Sequence, residues 1–180
     1  GSGAESKLVI PVDDRAVVTA SLRSPPAISG GTLAVNASFA VAADPDRDRV
    51  SIINLATRDV RHIELNQGDE PGRVVFSHDG ERAFVALRGS GEVLSVDVRG
   101  AAALARSRAC AAPRGLAIER ATGLLHVACA EGKLVSLDAS ELGLRREIQL
   151  NGDARDVIAT AEALLVSTFK SAKLFKISSD

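Results

Sequence analysis

An all-β fold, built from repeated units of four antiparallel strands, is what three features of this sequence predict. A pattern of residues recurs with a period of about 40–44 positions. Each period holds short runs rich in Val, Ile and Leu, of the length and alternation that strands require. The third run of each complete period closes on an Asx residue (Asn54, Asp97, Asp138), where a short polar side chain can cap a tight turn into a fourth strand. Four antiparallel strands per period of this size describe a β-propeller blade. Leucine-rich, ankyrin and tetratricopeptide repeats differ in period or are built on helices.

Taken in chain order, the first unit holds Phe39-Ala40-Val41-Ala42-Ala43 and then Val50-Ser51-Ile52-Ile53-Asn54. Val41 set against Val85 gives an offset of 44, and Val50 against Val93 one of 43. In the second unit, residues 73–77 form an inner strand, His78-Asp79-Gly80-Glu81 a turn, and residues 82–87 a second strand. Arg88-Gly89-Ser90-Gly91 leads to a third strand at 92–96, and residues 103–108 supply the fourth. The Ala-rich stretch 100–108 also has high helix propensity, but its place in the repeat favours an outer strand. In the third unit, Pro113-Arg114-Gly115-Leu116-Ala117-Ile118 falls on Pro71-Gly72-Arg73-Val74-Val75-Phe76 at an offset of 42. His126-Val127-Ala128-Cys129 falls on Phe84-Val85-Ala86-Leu87, and the run from Gly132 to Asp138 on that from Gly91 to Asp97. The fourth unit starts at Ala154-Arg155-Asp156-Val157-Ile158-Ala159, passes through Leu164-Leu165-Val166-Ser167 and reaches Lys173-Leu174-Phe175-Lys176-Ile177.

The expected organisation is therefore a leading segment, residues 1–30, and blades at about 31–67, 68–109, 110–151 and, in part, 152–180. In the leading segment Gly1-Ser2-Gly3 reads as a cloning scar, residues 7–18 as a strand region, and residues 21–31 as a loop with Pro25-Pro26 and Gly30-Gly31. A propeller closes its ring with about four to eight blades. About three and a half blades leave apolar lateral faces and a strand edge to be covered. The partners expected are the remaining blades, on the same or another polypeptide, or a second copy of the chain.

Composition narrows the function classes. The chain has 180 residues, 46% hydrophobic and 25% charged, with a net charge of −1, so it is neither disordered nor globally attractive to nucleic acid or an anionic membrane. No apolar run approaches the roughly 18 residues of a membrane span. The bias towards Ala and Arg suggests a GC-rich bacterial source.

The stretch Gly68-Asp69-Glu70-Pro71-Gly72-Arg73-Val74-Val75-Phe76-Ser77-His78-Asp79-Gly80-Glu81-Arg82-Ala83-Phe84-Val85-Ala86 resembles the YVTN-type bacterial propeller repeat. That pattern runs G-x-x-P, an apolar strand, S-P-D-G and a Y-V-T-N-like strand. Here His78 stands for the Pro, and Phe84-Val85-Ala86-Leu87 for Tyr-Val-Thr-Asn. Val50-Ser51-Ile52-Ile53-Asn54 and Val93-Leu94-Ser95-Val96-Asp97 resemble its third strand. The resemblance covers about residues 31–177 and implies a fold rather than a chemistry, since such propellers include lactonase-like, surface-layer and redox-associated proteins.

Cys110 and Cys129 are the only cysteines, with no Cys-x-x-Cys-His for haem attachment. The blade pattern puts both at one end of the third blade. A disulfide is then feasible, implying a periplasmic or extracellular location, and two buried free thiols are the alternative. His62 is expected on an outer strand, His78 in a turn and His126 in a strand, none beside a nucleophile. Asp44-Pro45-Asp46-Arg47-Asp48 offers Asp44, Asp46 and Asp48 as weak calcium ligands, but the Gly and Glu of an EF-hand loop are replaced by Arg49 and Leu55. Asn36-Ala37-Ser38 matches a glycosylation sequon and reads as a turn.

Arginines recur at the start of the innermost strands. Arg114 and Arg155 are 41 apart and Arg73 lies one place off that register. Converging on one rim of the central channel, Arg73, Arg114 and Arg155 would make a positive field suited to a protein or a small anionic ligand. Local pairing with Asp69, Asp153 or Asp156 is the competing expectation. No nucleophile–base pair, metal cluster or phosphate loop is apparent. The sequence therefore points to a non-enzymatic propeller scaffold or binding module of a larger periplasmic or extracellular protein, with no cofactor of its own. One alternative is the propeller part of a redox protein, with haem c on an adjoining segment or partner. The other is a lactonase-like hydrolase.

Overall fold

A computed structural model describes residues 31–150, 152–170 and 172–178. The expected strand region at 7–18 and most of the loop at 21–31 lie outside the described residues. The described chain forms fifteen strands in four antiparallel sheets, each hydrogen-bonded in chain order. The first blade is β1 (Leu33–Val35), β2 (Phe39–Asp44), β3 (Arg49–Asn54) and β4 (Val60–Glu64). The second is β5 (Pro71–Phe76), β6 (Arg82–Leu87), β7 (Glu92–Asp97) and β8 (Ala102–Arg108). The third is β9 (Pro113–Glu119), β10 (Leu124–Cys129), β11 (Lys133–Asp138) and β12 (Leu144–Gln149). The fourth holds three strands, β13 (Ala154–Ala159), β14 (Ala163–Thr168) and β15 (Leu174–Ser178).

The blades stack face to face, which explains why their inner strands read as nearly continuous apolar runs. Side chains alternate across a strand. In β6, Ala83, Val85 and Leu87 pack towards the first blade, and Phe84 and Ala86 towards the third. Three apolar layers result, one at each junction between neighbouring blades. Phe84, Leu87, Leu94, Leu125 and Leu134 are fully buried there, each worth about 1.5–3 kcal/mol relative to exposure.

Burial also corrects the alignment of the first blade. Strands β2 and β6 begin at Phe39 and Arg82, an offset of 43, so Val41 corresponds to Phe84 and not to Val85. A one-residue slip exchanges the faces of a strand. Val41 faces forward onto the second blade, whereas Val85 faces back onto the first. The segment competing for helix is strand β8, paired along β7. Ladder bonds to β7 satisfy the backbone groups on its inner edge, and Ala101 before it adopts the left-handed φ of 50° that turns the chain.

Turn chemistry repeats at the loop between second and third strands. Asp48, Gly91 and Gly132 all have positive φ (46°, 77° and 89°), and their carbonyls accept from Leu65, Ala109 and Leu150 respectively. At Gly91 a Cβ would stand 2.2 Å from the Cys110 carbonyl oxygen, so only glycine fits there.

Among the described residues, no further blade packs on the lateral faces of the end blades. On the first, Val35, Ala40, Ile53 and Val60 are successive cross-strand partners in one row, with Leu33 and Val60 each 50% exposed. On the fourth, Ile158 is 60% and Leu174 67% exposed. β15 has no strand on its outer edge among the described residues.

Candidate functional site: the two ends of the central channel

Strands β1, β5, β9 and β13 pack side by side in turn, as inner strands around a channel do. Each carries its first residues at one end of the blades, called the rim here, together with the loops joining second and third strands. The opposite mouth is made by the turns after the inner strands.

Cys110 and Cys129 are joined in a disulfide with a Cα–Cα distance of 6.2 Å, deciding between the two expectations for them. Pairing of β9 with β10 sets Cys129 opposite Pro113, so the loop before β9 is tied to the end of β10. The Glu131 carboxylate lies beside both sulfurs and accepts from the backbone N–H of Ala111 at 2.7 Å, holding the same loop.

The Asp44–Asp46–Asp48 string does not gather into a cation loop. Asp44 pairs with Arg47 at 3.1 Å and Arg49 at 3.4 Å. Asp48 accepts from the backbone N–H of Gly68 and of Glu70, both at 2.8 Å. Those two N–H groups hold the Asp48 carboxyl below the usual carboxylate range. Asp48 is thus a latch from the first blade onto the connection into the second. Asn36 sits in a turn as expected, its side chain accepting from Ser38 and Phe39. At the rim, buried Asp69 pairs with Arg106 at 2.7 Å, and Arg106 also with Glu92 at 2.7 Å.

The three recurrent arginines separate into different roles. Arg73 reaches the Asp156 carboxylate at 2.6 Å, from the second blade to the fourth. This is possible because Arg73, Gly115 and Asp156 are each the third residue of their inner strand. Gly115, lying between, has no side chain to obstruct; a Cβ there would stand 2.6 Å from the Asp156 Cα and 2.8 Å from its Oδ1. Pairing was an expectation for Arg73, though it runs past a whole blade rather than locally. Arg114 is half-buried at the rim and makes no ion pair among the described residues. Arg155 is exposed and stacks on Phe169 at 5.3 Å from the ring centroid.

One constellation was not legible beforehand and corrects the expectation for the histidines. Register in the β10–β11 hairpin places His126 opposite Ser136, with Nδ1 2.8 Å from Oγ. His126 Nε2 lies 3.4 Å from Glu119 Oε2, and Thr122 donates to the same carboxylate. His126, Ser136 and Glu119 are only 3%, 2% and 7% exposed, sealed within the blade stack. Burial lowers the His126 pKa, and the Glu119 charge opposes this only in part. The signal was present in sequence as a ten-residue hairpin spacing, readable only once the turn is fixed. Likewise Ser51 Oγ lies 2.9 Å from His62 Nδ1 across β3–β4, on the exposed surface. His78 sits in its expected turn.

At the opposite mouth a cavity of about 640 Å³ spans the ends of β1, β5 and β9. Phe39, Val75, Phe76 and Ile118 form its apolar lining, and Arg99 and Arg120 stand on its wall. The disulfide is consistent with an oxidising compartment. Among the described residues no helix is long and apolar enough to cross a membrane.

No family model and no curated protein matches the chain. Solved structures do. Hydrazine synthase of Kuenenia stuttgartiensis aligns at 18% identity and TM-score 0.71, over 78% of this chain and 43% of that one. The dihydro-heme d1 dehydrogenase NirN, in complex with DHE, aligns at 20% identity and TM-score 0.65, over 77% of this chain and 32% of that one. The computationally designed Ika4 protein aligns at 15% identity and TM-score 0.70, over 85% of this chain and 93% of that one. This chain spans less than half of the two natural proteins. At these identities the likeness speaks for the fold, and with the sheet order it identifies the described residues as three complete β-propeller blades and three strands of a fourth.

Proposed function

We propose that this chain is a non-enzymatic binding and scaffold segment of a larger periplasmic or extracellular β-propeller of the YVTN-repeat type, its ring completed by further blades. The observation that carries this reading is the pair of open lateral faces. Exposed Leu33 and Val60 at one end, and Ile158 and Leu174 at the other, stand on the faces that interior blades bury against neighbours. Burying them against another blade supplies the stabilisation that the interior layers already have. Arg114 and Arg155 give the rim its cationic character towards an anionic or acidic partner, while Arg73 acts by holding Asp156. Cross-linking mass spectrometry on the native protein tests the reading. Lys173 and Lys176, on the open fourth blade, should link to blade residues outside 31–178. A native particle of this chain alone, with no such links, would refute it. Arg114→Ala with Arg155→Ala should weaken capture of the partner those links identify and leave the thermal midpoint unchanged.

A second reading, the propeller part of a redox protein, has one observation in its favour: two of the aligned structures are a hydrazine synthase and a dihydro-heme d1 dehydrogenase. A Soret band in the native particle is its expected signature, and a particle without haem absorbance would remove it.

A further inference from the structure

The arginines expected to gather an anion at the rim are partly committed there, but two others stand over a cup at the opposite mouth whose apolar floor is ringed by polar groups, Asn36, Ser77 and His78 among them. The cup, about 640 Å³, falls within the size range of small-ligand sites. Its lining comes from the ends of three inner strands, Val75 and Phe76 from β5, Ile118 from β9 and Val35 from β1, with Phe39 opening β2. Strand ends on a stacked scaffold are rigid, so the cup is formed before a ligand arrives.

Charge on the wall is uneven. Arg99 and Arg120 are exposed, and neither guanidinium has an ion-pair partner among the described residues. Asp79 on the same wall accepts from Ser77 Oγ at 2.6 Å and the Glu81 N–H at 3.0 Å, and the Glu81 carbonyl accepts from the N–H of Val98, next to Arg99. A neutral apolar ligand would leave the two guanidiniums unused, and a multiply charged anion would meet Asp79 and Glu81.

We propose that this mouth binds a small amphipathic monoanion, an aromatic or aliphatic body carrying one carboxylate or sulfonate. The body lies against Phe39, Phe76 and Ile118, and the anionic group faces Arg99 and Arg120, where charge-assisted hydrogen bonds can form. The inference rests on reading the chain as a binding module, but on different residues from the rim, so either can fail alone.

Anilinonaphthalene sulfonate and decanoate are suitable probes, with phenylnaphthylamine as the uncharged comparator. The sulfonate should bind with one site per chain, be displaced by decanoate, and lose affinity about tenfold in Arg99→Gln with Arg120→Gln. That variant should keep its thermal midpoint and its phenylnaphthylamine affinity, since both arginines are exposed. Open blade faces also attract such dyes, so Ile158→Ser with Leu174→Ser is the second arm, expected to leave sulfonate affinity unchanged. Loss of the signal in the blade-face variant, or its retention in the arginine variant, overturns the proposal.

Discussion

Gly115→Ala probes the junction between the third and fourth blades more sharply than any truncation. The added Cβ would stand 2.6 Å from the Asp156 Cα, 2.8 Å from Asp156 Oδ1 and 2.9 Å from the Val157 nitrogen. Two of these three atoms are backbone, so no rotamer change relieves the contact and β13 must move away from β9. Overpacking of this kind costs about 1–3 kcal/mol. Moving β13 also carries Asp156 away from Arg73, whose side chain is 15% exposed against 39% for Asp156, a pair worth about 1 kcal/mol. Together these amount to about 3 kcal/mol, or a fall in Tm of roughly 10 °C for a domain of this size. Scanning calorimetry measures the shift, and hydrogen exchange locates it, with faster exchange expected in β13–β15 and little change in β1–β4. Gly143→Ala is the control, because nothing lies within 4 Å of a Cβ at that position. Adding Arg73→Ala should cost about 1 kcal/mol in the parent and nearly nothing in Gly115→Ala, the non-additivity of a shared contact. If Gly115→Ala melts with Gly143→Ala, the close approach of the inner strands is wrong.

Replacing Cys110 and Cys129 by Ala frees a loop closed across a sequence separation of 19 and should lower stability by about 3 kcal/mol. Urea unfolding with and without reductant measures it, and identical midpoints would remove the disulfide from the account. His126 has a lowered pKa in the fold, so the folded state favours its neutral form. Stability is full above the unfolded histidine value near 6.5 and declines as pH falls below it towards the folded value; His126→Gln should flatten this part of the pH–stability curve. A slope unchanged by that substitution would assign the dependence to another group. Asp48 has a lowered carboxyl pKa, so its contribution is present above the ordinary aspartate value and fades as pH falls through the folded one. Asp48→Asn should reduce the Tm at neutral pH and narrow its difference from the parent in acid; a constant difference would deny the latch onto Gly68 and Glu70.

How far the sequence could be read depends on how locally each feature is determined. Strand β6 and the turn before it were legible because alternation and turn residues lie within a few positions of one another. The first blade aligns one residue out on pattern alone because Val41 and Val85 both stand in continuous apolar runs, Phe39–Ala43 and Phe84–Leu87. Pattern alone does not separate the faces there, whereas packing does. Residues 100–108 were ambiguous for the opposite reason: alanine favours helix in isolation, and only the partner strand β7 selects β8.

The site shows the same division. Asp48 looked like part of a cation loop because sequence displays its neighbours at 44 and 46, not the Gly68 and Glu70 amides that the blade junction brings to it. The cluster of Ser136, His126 and Glu119 needs hairpin register to exist at all. The inner-strand arginines carry the argument furthest. Arg114 and Arg155 drew notice because they repeat, and Arg73 looked like an imperfect copy one place out of register. Strand register shows that the misfit matters: the third position holds Arg, then Gly, then Asp in successive blades, and those three together make a bridge past an intervening strand. In a repeat fold the recurring residues build the blades, so contacts specific to this chain are written where the repeat is broken. A search for function in such a sequence should therefore align by buried faces first and then read the positions that disagree.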